Sequence, residues 1–184
     1  MRRTIFLDRD NTIIHNDGHL GDPEAVHLMA GAAQAMVQLV DAGFSLIVVT
    51  NQSGVARGLF TEEDVKAVHR SIDRSIARAT GREDLVLGWY YSPWHPEAVI
   101  DAYRGNHPTR KPEPGMLLEA ADDHELDLAR SWMVGDQERD VQAGMAAGCR
   151  CVRLASASTQ TLAEKRCDTL VAATQYILSE ANRP

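Results

Sequence analysis

Residues 5–14 read IFLDRDNTII, an apolar strand broken by Asp8, Arg9 and Asp10. Two carboxylates two residues apart at a strand end are costly when half-buried, unless something compensates them. The stretch therefore calls for a bound cation, a reaction, or both.

The chain around it alternates strand-like and helix-like runs. Thr4–Leu7 reads as a strand, and residues 31–42 have helical spacing that stops near Gly43. SLIVVT (45–50) is a continuous apolar run of strand length, as expected when both faces are covered. Thr61–Asp64 has the form of a capping box opening a long amphipathic helix. LVLGWYY (85–91), SWMVG (131–135) and RCVRL (150–154) read as strands, and 116–124, 138–147 and 173–181 as helices. Between them, residues 92–115 form a proline-rich excursion. This alternation predicts an α/β fold in three layers, a Rossmann-like parallel sheet with helices on both faces, and one domain over 1–184.

Composition narrows the function. A net charge of -7 disfavours nucleic acid as a partner. The cysteines are Cys149, Cys151 and Cys167, an odd and sparse set that argues against a disulfide framework. No apolar run approaches the ~20 residues of a membrane span, and the first ten residues make a poor signal peptide, so a cytoplasmic protein is expected.

In parallel sheets ligands bind beyond the carboxyl ends of the strands. Those ends carry Asp8 and Asp10, Thr50 and Asn51, and Gly135 and Asp136, while Arg110-Lys111 precedes the third helix. Asp140 follows Asp136 by one helical turn, so both can face one point. Oxygen ligands suit Mg²⁺, and magnesium works beside phosphate, which a lysine and backbone amides would hold.

Asp8-x-Asp10-x-Thr12, Thr50, Lys111 and Gly135-Asp136-x-x-x-Asp140 together resemble the four motifs of the haloacid dehalogenase-like phosphohydrolases, in family order. That resemblance implies a phosphatase without a large cap domain, working through an aspartyl-phosphate with Mg²⁺ as cofactor. Asp8 would be the nucleophile and Asp10 the general acid and base. Asp8, Asp136 and the Asp10 carbonyl would bind the metal, with Asp140 supporting them. Thr50 and the Asn51 backbone would bind phosphate oxygens, with Lys111 neutralising charge on nucleophile and phosphate. Arg110 resembles a substrate-binding arginine, and Asn16, His19, Gln52, Ser53 and Arg57 would line the substrate side. Arg9 is expected to point away, as a solvent or packing residue.

TNQSGVARGLF (50–60), RKPEPGML (110–117) and MVGDQERDVQAG (133–144) are similar to a subgroup of bacterial phosphatases acting on heptose 1,7-bisphosphate at the 7-position. Histidinol-phosphate phosphatases share much of this pattern and are the alternative. The implied partner is a small phosphorylated sugar, and a monomer is expected. Members of this subgroup commonly hold a structural zinc through Cys-x-His and Cys-x-Cys, where this chain has Ser92-Pro93-Trp94 and His107-Pro108-Thr109. No zinc is expected, with prolines and the Trp94 and Tyr103 rings stiffening the excursion instead. Gln137 stands where the subgroup often has lysine. From other classes, a phospho-receiver domain also combines aspartates, Thr and Lys on a parallel sheet, and a non-catalytic binding protein would keep the fold alone.

Overall fold

The computed structural model describes residues 1–156 and 158–181. Six strands form one sheet: β1 (Thr4–Leu7), β2 (Ser45–Asn51), β3 (Val86–Ser92), β4 (Trp132–Gly135), β5 (Arg150–Leu154) and β6 (Lys165–Cys167). Their order is β3-β2-β1-β4-β5-β6, and all neighbours are parallel. The helices are α1 (Ala32–Asp41), α2 (Glu62–Thr80), α3 (Gly115–His124), α4 (Glu138–Ala146) and α5 (Leu170–Ala181).

The central strands are apolar throughout because both faces are covered. Ile5, Leu7, Leu46, Val48, Trp132 and Val134 point into one core, which also contains α1, α2 and α5 residues such as Met36, Ile72 and Ile177. Phe6, Ile47, Val49 and Met133 point to the opposite face, against Met116, Leu117 and Val141 of α3 and α4. The period-two alternation within each strand divides the core between these two layers. Among the described residues no second body is inserted to cap the sheet.

α2 starts where the sequence signals it: the Thr61 N–H donates to Asp64 Oδ2 at 2.8 Å, and the Asp64 N–H to Thr61 Oγ1 at 3.2 Å. β6 was not foreseen. Three residues, KRC, offer no apolar run; they become a strand by pairing with Val152–Leu154 at the sheet edge, where short charged strands are favoured. The strand order reverses direction between β1 and β4, and the carboxyl ends of β1, β2 and β4 meet there.

Candidate active site

The chain turns sharply as it leaves β1. Asn11 takes a left-handed φ of 54°, which asparagine tolerates better than most residues. Its side chain locks the turn: Nδ2 donates to the Asn16 carbonyl at 2.9 Å, and Oδ1 accepts from the Asn16 N–H at 3.1 Å. Asp8 and Asp10 are thereby held at the same strand end.

Lys111 reaches Asp8 from the far end of the excursion. Its Nζ donates to Asp8 Oδ1 and to the Val49 carbonyl, each at 2.8 Å, and lies 2.7 Å from Asp140 Oδ1. Lys111 is only 2 % exposed. Two bonds hold its backbone in place: the Asn51 side-chain amide donates to the Lys111 carbonyl at 2.9 Å and accepts from its N–H at 3.0 Å. The Asn51 side chain thus faces Lys111.

Asp140 is fully buried in the first turn of α4, where its Oδ2 accepts from the Gln137 N–H at 2.9 Å. Gly135 makes this approach possible, since a Cβ there would lie 2.4 Å from Asp140 Oδ2. Carboxylate oxygens of Asp8, Asp136 and Asp140 all lie within 4.8 Å of one another. Among the described residues no other group of three or more His, Cys, Asp or Glu side chains is close enough to share a metal. Asp8 Oδ2 has no protein donor among the described residues.

Burial pushes the Asp8 carboxyl up to about 7, against the pull of Lys111 and with the help of Asp140 and Asp10. Asp136 is raised for the same reason, desolvation first. Burial works against the Lys111 ammonium, but Asp140 and Asp8 outweigh it and raise its pKa. Three carboxylates against one ammonium leave a negative excess on hard oxygen donors, which fits a divalent cation such as Mg²⁺.

Asp10 is gripped from several sides. Oδ1 accepts from Asn16 Nδ2 at 2.7 Å and from Arg9 Nη2 at 3.0 Å; Oδ2 accepts from Gln52 Nε2 at 2.8 Å and from Thr50 Oγ1 at 3.4 Å. Desolvation alone would raise this carboxyl, but Arg9, Asn16 and Gln52 overcome it and hold Asp10 below its ordinary value. The expected direction of Arg9 is corrected here: it does not point away but folds back, fully buried, to pair with Asp10. The clue lay in its position, a cation flanked by two acids in an apolar run.

A cavity of about 320 Å³ opens over these groups. Asp8, Asp10, Thr50, Lys111 and Asp136 line it, together with Asn16, His19, Asn51, Gln52 and Ser53. Arg57 and Arg110 are also in the wall, whereas Asp140 lies behind it. Sequence reasoning missed His95 and Arg139, which share the wall with Gln137. Arg57, Arg110 and Arg139 have no carboxylate partner among the described residues; burial and the two neighbouring guanidiniums lower the Arg110 pKa. The excursion is ordered by its own side chains. Trp94 stacks on His107 with centroids 4.5 Å apart, His107 Nδ1 is 2.8 Å from Thr109 Oγ1, and Thr109 Oγ1 donates to Ser92 Oγ at 3.2 Å.

Residues 108–179 match the family described as HAD-hydrolase-like. Over 147 residues, 80% of each chain, the sequence is 44% identical to D-glycero-beta-D-manno-heptose-1,7-bisphosphate 7-phosphatase of Rhodopseudomonas palustris. The chain belongs to the haloacid dehalogenase-like phosphatases. The Escherichia coli protein of the same name is 43% identical over 78% of this phosphatase and 73% of its own length. Among solved structures, a HAD-like phosphatase from Mesorhizobium loti superposes with a TM-score of 0.84 at 32% identity, covering 100% of this chain and 88% of that one. The D,D-heptose 1,7-bisphosphate phosphatase of B. bronchiseptica, complexed with magnesium and phosphate, gives 0.80 at 30% identity, covering 97% and 99%. No described helix of this phosphatase is long and apolar enough to cross a membrane.

Proposed function

We propose that this phosphatase is a cytoplasmic, single-domain, monomeric enzyme that removes the 7-phosphate of D-glycero-D-manno-heptose 1,7-bisphosphate, with Mg²⁺ as cofactor. One observation carries the reading: the Asp8–Lys111 pair stands beside Asp136 and Asp140 under a cavity whose wall holds three arginines without carboxylate partners. A monoester at the floor and a second phosphate at the wall account for both features. The likeness to heptose bisphosphate phosphatases supports the sugar.

Asp8, Asp136 and the main-chain carbonyl of Asp10 would hold the cation. When bound, it neutralises charge on the phosphoryl group and on Asp8. Asp8 Oδ2 attacks phosphorus in line, Oδ1 staying on Lys111. The bond from phosphorus to the sugar oxygen breaks, and Asp10 donates its proton to that oxygen. Asp10 starts below its ordinary pKa, and the like charge of an arriving phosphoryl group pushes it up toward the protonated form. Water then attacks the aspartyl-phosphate, Asp10 takes its proton, and inorganic phosphate leaves with Asp8 restored. Lys111 and Thr50 stabilise charge on the transferring group.

Two assays test this. A panel of sugar mono- and bisphosphates plus histidinol phosphate is expected to rank heptose 1,7-bisphosphate first; a preference for histidinol phosphate rejects the substrate. Asp8→Asn is expected to lose more than about 1,000-fold of turnover with its fold intact, and retained hydrolysis rejects the nucleophile.

A further inference from the structure

We propose that Arg9 is a positioning residue for the acid–base chemistry of this site: its buried guanidinium and Gln52 together fix the plane of the Asp10 carboxylate. The inference rests on the assignment of Asp10 as the proton-transfer group.

The side chain of Arg9 folds back onto its own neighbour. Nε and Nη2 donate to Asp10 Oδ1 at 3.2 and 3.0 Å. Nη2 also donates to Gln52 Oε1 at 2.9 Å, and Gln52 Nε2 donates to Asp10 Oδ2 at 2.8 Å. The three side chains close a ring. Asn16 and Thr50 also reach Asp10, one oxygen each, but Arg9 grips Oδ1 while anchoring the Gln52 amide that holds Oδ2, so the two oxygens are tied to each other in a single plane. Proton transfer needs that plane, because the lone pair must aim at the leaving oxygen and later at water.

Packing alone does not account for this residue. A buried guanidinium loses hydration worth several kcal/mol, and an apolar side chain would fill the space at less cost. Asp10 is its only carboxylate partner among the described residues. The charge of Arg9 is felt at His69, which stacks on Trp89 with centroids 4.4 Å apart. Burial, helped by Arg9, depresses the His69 imidazole to about 3, so it stays neutral and offers no competing charge. Arg9 Nη1 has no hydrogen-bond partner among the described residues. A cation kept in so incomplete a setting is explained by what it does to Asp10.

The test separates positioning from general damage through the leaving group. A sugar alkoxide must be protonated to depart, but p-nitrophenolate leaves without a proton. Steady-state hydrolysis of heptose 1,7-bisphosphate and rapid mixing with p-nitrophenyl phosphate would be measured on the Mg²⁺-loaded enzyme and on Arg9→Met, Arg9→Lys and Asp10→Asn. Arg9→Met is expected to lose about 100-fold in sugar phosphate turnover. Its first equivalent of nitrophenolate should nevertheless appear within about threefold of the wild-type rate, followed by slow turnover as unactivated water attacks. Arg9→Lys keeps the charge without the fork and should show a smaller split of the same kind. Equal losses in burst and sugar turnover, or no loss in either, overturn the proposal. Should Arg9→Met not fold, Arg9→Lys decides by the same criterion. Wild-type sugar turnover in Asp10→Asn would instead reject Asp10 itself; a split in Asp10→Asn without one in the Arg9 variants rejects Arg9 alone.

Discussion

Lys111 Nζ and Asp140 Oδ1 lie 2.7 Å apart, an ion pair closed to solvent that joins the excursion to the first turn of α4. The same ammonium binds Asp8, so one cation offsets part of a three-carboxylate cluster. Lys111→Met should therefore do two things. Turnover is expected to fall at least about 100-fold, because the phosphoryl group loses a preorganised charge. The cluster also becomes more repulsive, so adding Mg²⁺ to chelated protein should raise the melting temperature more in the variant than in wild type. Thermal melts with and without the cation read this directly, and equal shifts would count against the charge argument.

Gly115 opens α3 in contact with the segment that delivers Arg110 and Lys111. A Cβ at this position would sit 2.3 Å from the Pro108 carbonyl oxygen, a backbone atom that cannot step aside as a flexible side-chain end would. Gly115→Ala is expected to cost about 1–3 kcal/mol of stability. A displacement of order 1 Å at Lys111 would lower activity by about 100-fold. Denaturant melts and turnover measured on the same preparation check the pair of effects; lost stability with full activity would show that the segment absorbs the shift elsewhere.

The sheet and its charged edge were legible because each central strand carries its period and ends in a residue of distinct chemistry. SLIVVT followed by Asn51, and SWMVG followed by Asp136, show in sequence both the strand and its outlet. β6 was not legible, since Lys165–Cys167 has no apolar signature and owes its conformation to pairing with β5. Arg9 was misjudged because alternation assigns it the face opposite Asp8, and it says nothing of a side chain long enough to fold back onto Asp10. The side chain of Asn51 holds Lys111 through contacts distant in sequence, which a local reading has no means to supply. Nothing in the sequence singles out Arg139; only the placement of α4 against the cavity brings it to the wall.

Asp73 gives a pH dependence away from the site. On α2, half-buried, its carboxyl is raised by desolvation to about 6, with Asp84 adding to the rise and a hydrogen bond from Trp89 opposing it. Its ordinary value is 3.8, so between the two values the folded chain keeps a proton that the unfolded chain releases. Through this group the fold gains stability as pH falls from about 6 toward 4, and carries the full cost above about 6. Asp73→Asn removes the charge. Allowing for solvent screening of a half-exposed group, it should gain about 1 kcal/mol at pH 7.5, or roughly 2–4 °C. Near pH 4 the gain should vanish, and a gain independent of pH would assign it to something other than charge.

Arg139 tests what the cavity wall recognises. It is exposed, lies one residue before the buried Asp140, and, after burial, helps lower the pKa of Arg110. With Gln137 neutral beside it, Arg139 is the charge that α4 contributes to the wall. On the proposed substrate, the second phosphate is expected to meet it. A charge-assisted hydrogen bond at an exposed rim is worth about 1 kcal/mol, so Arg139→Ala should raise KM for heptose 1,7-bisphosphate roughly fivefold with kcat nearly unchanged. Hydrolysis of p-nitrophenyl phosphate should be unaffected, and added salt should narrow the difference between wild type and variant on the bisphosphate. Equal losses on both substrates would move Arg139 from recognising the second phosphate to supporting α4, and with it the Asp140–Lys111 pair.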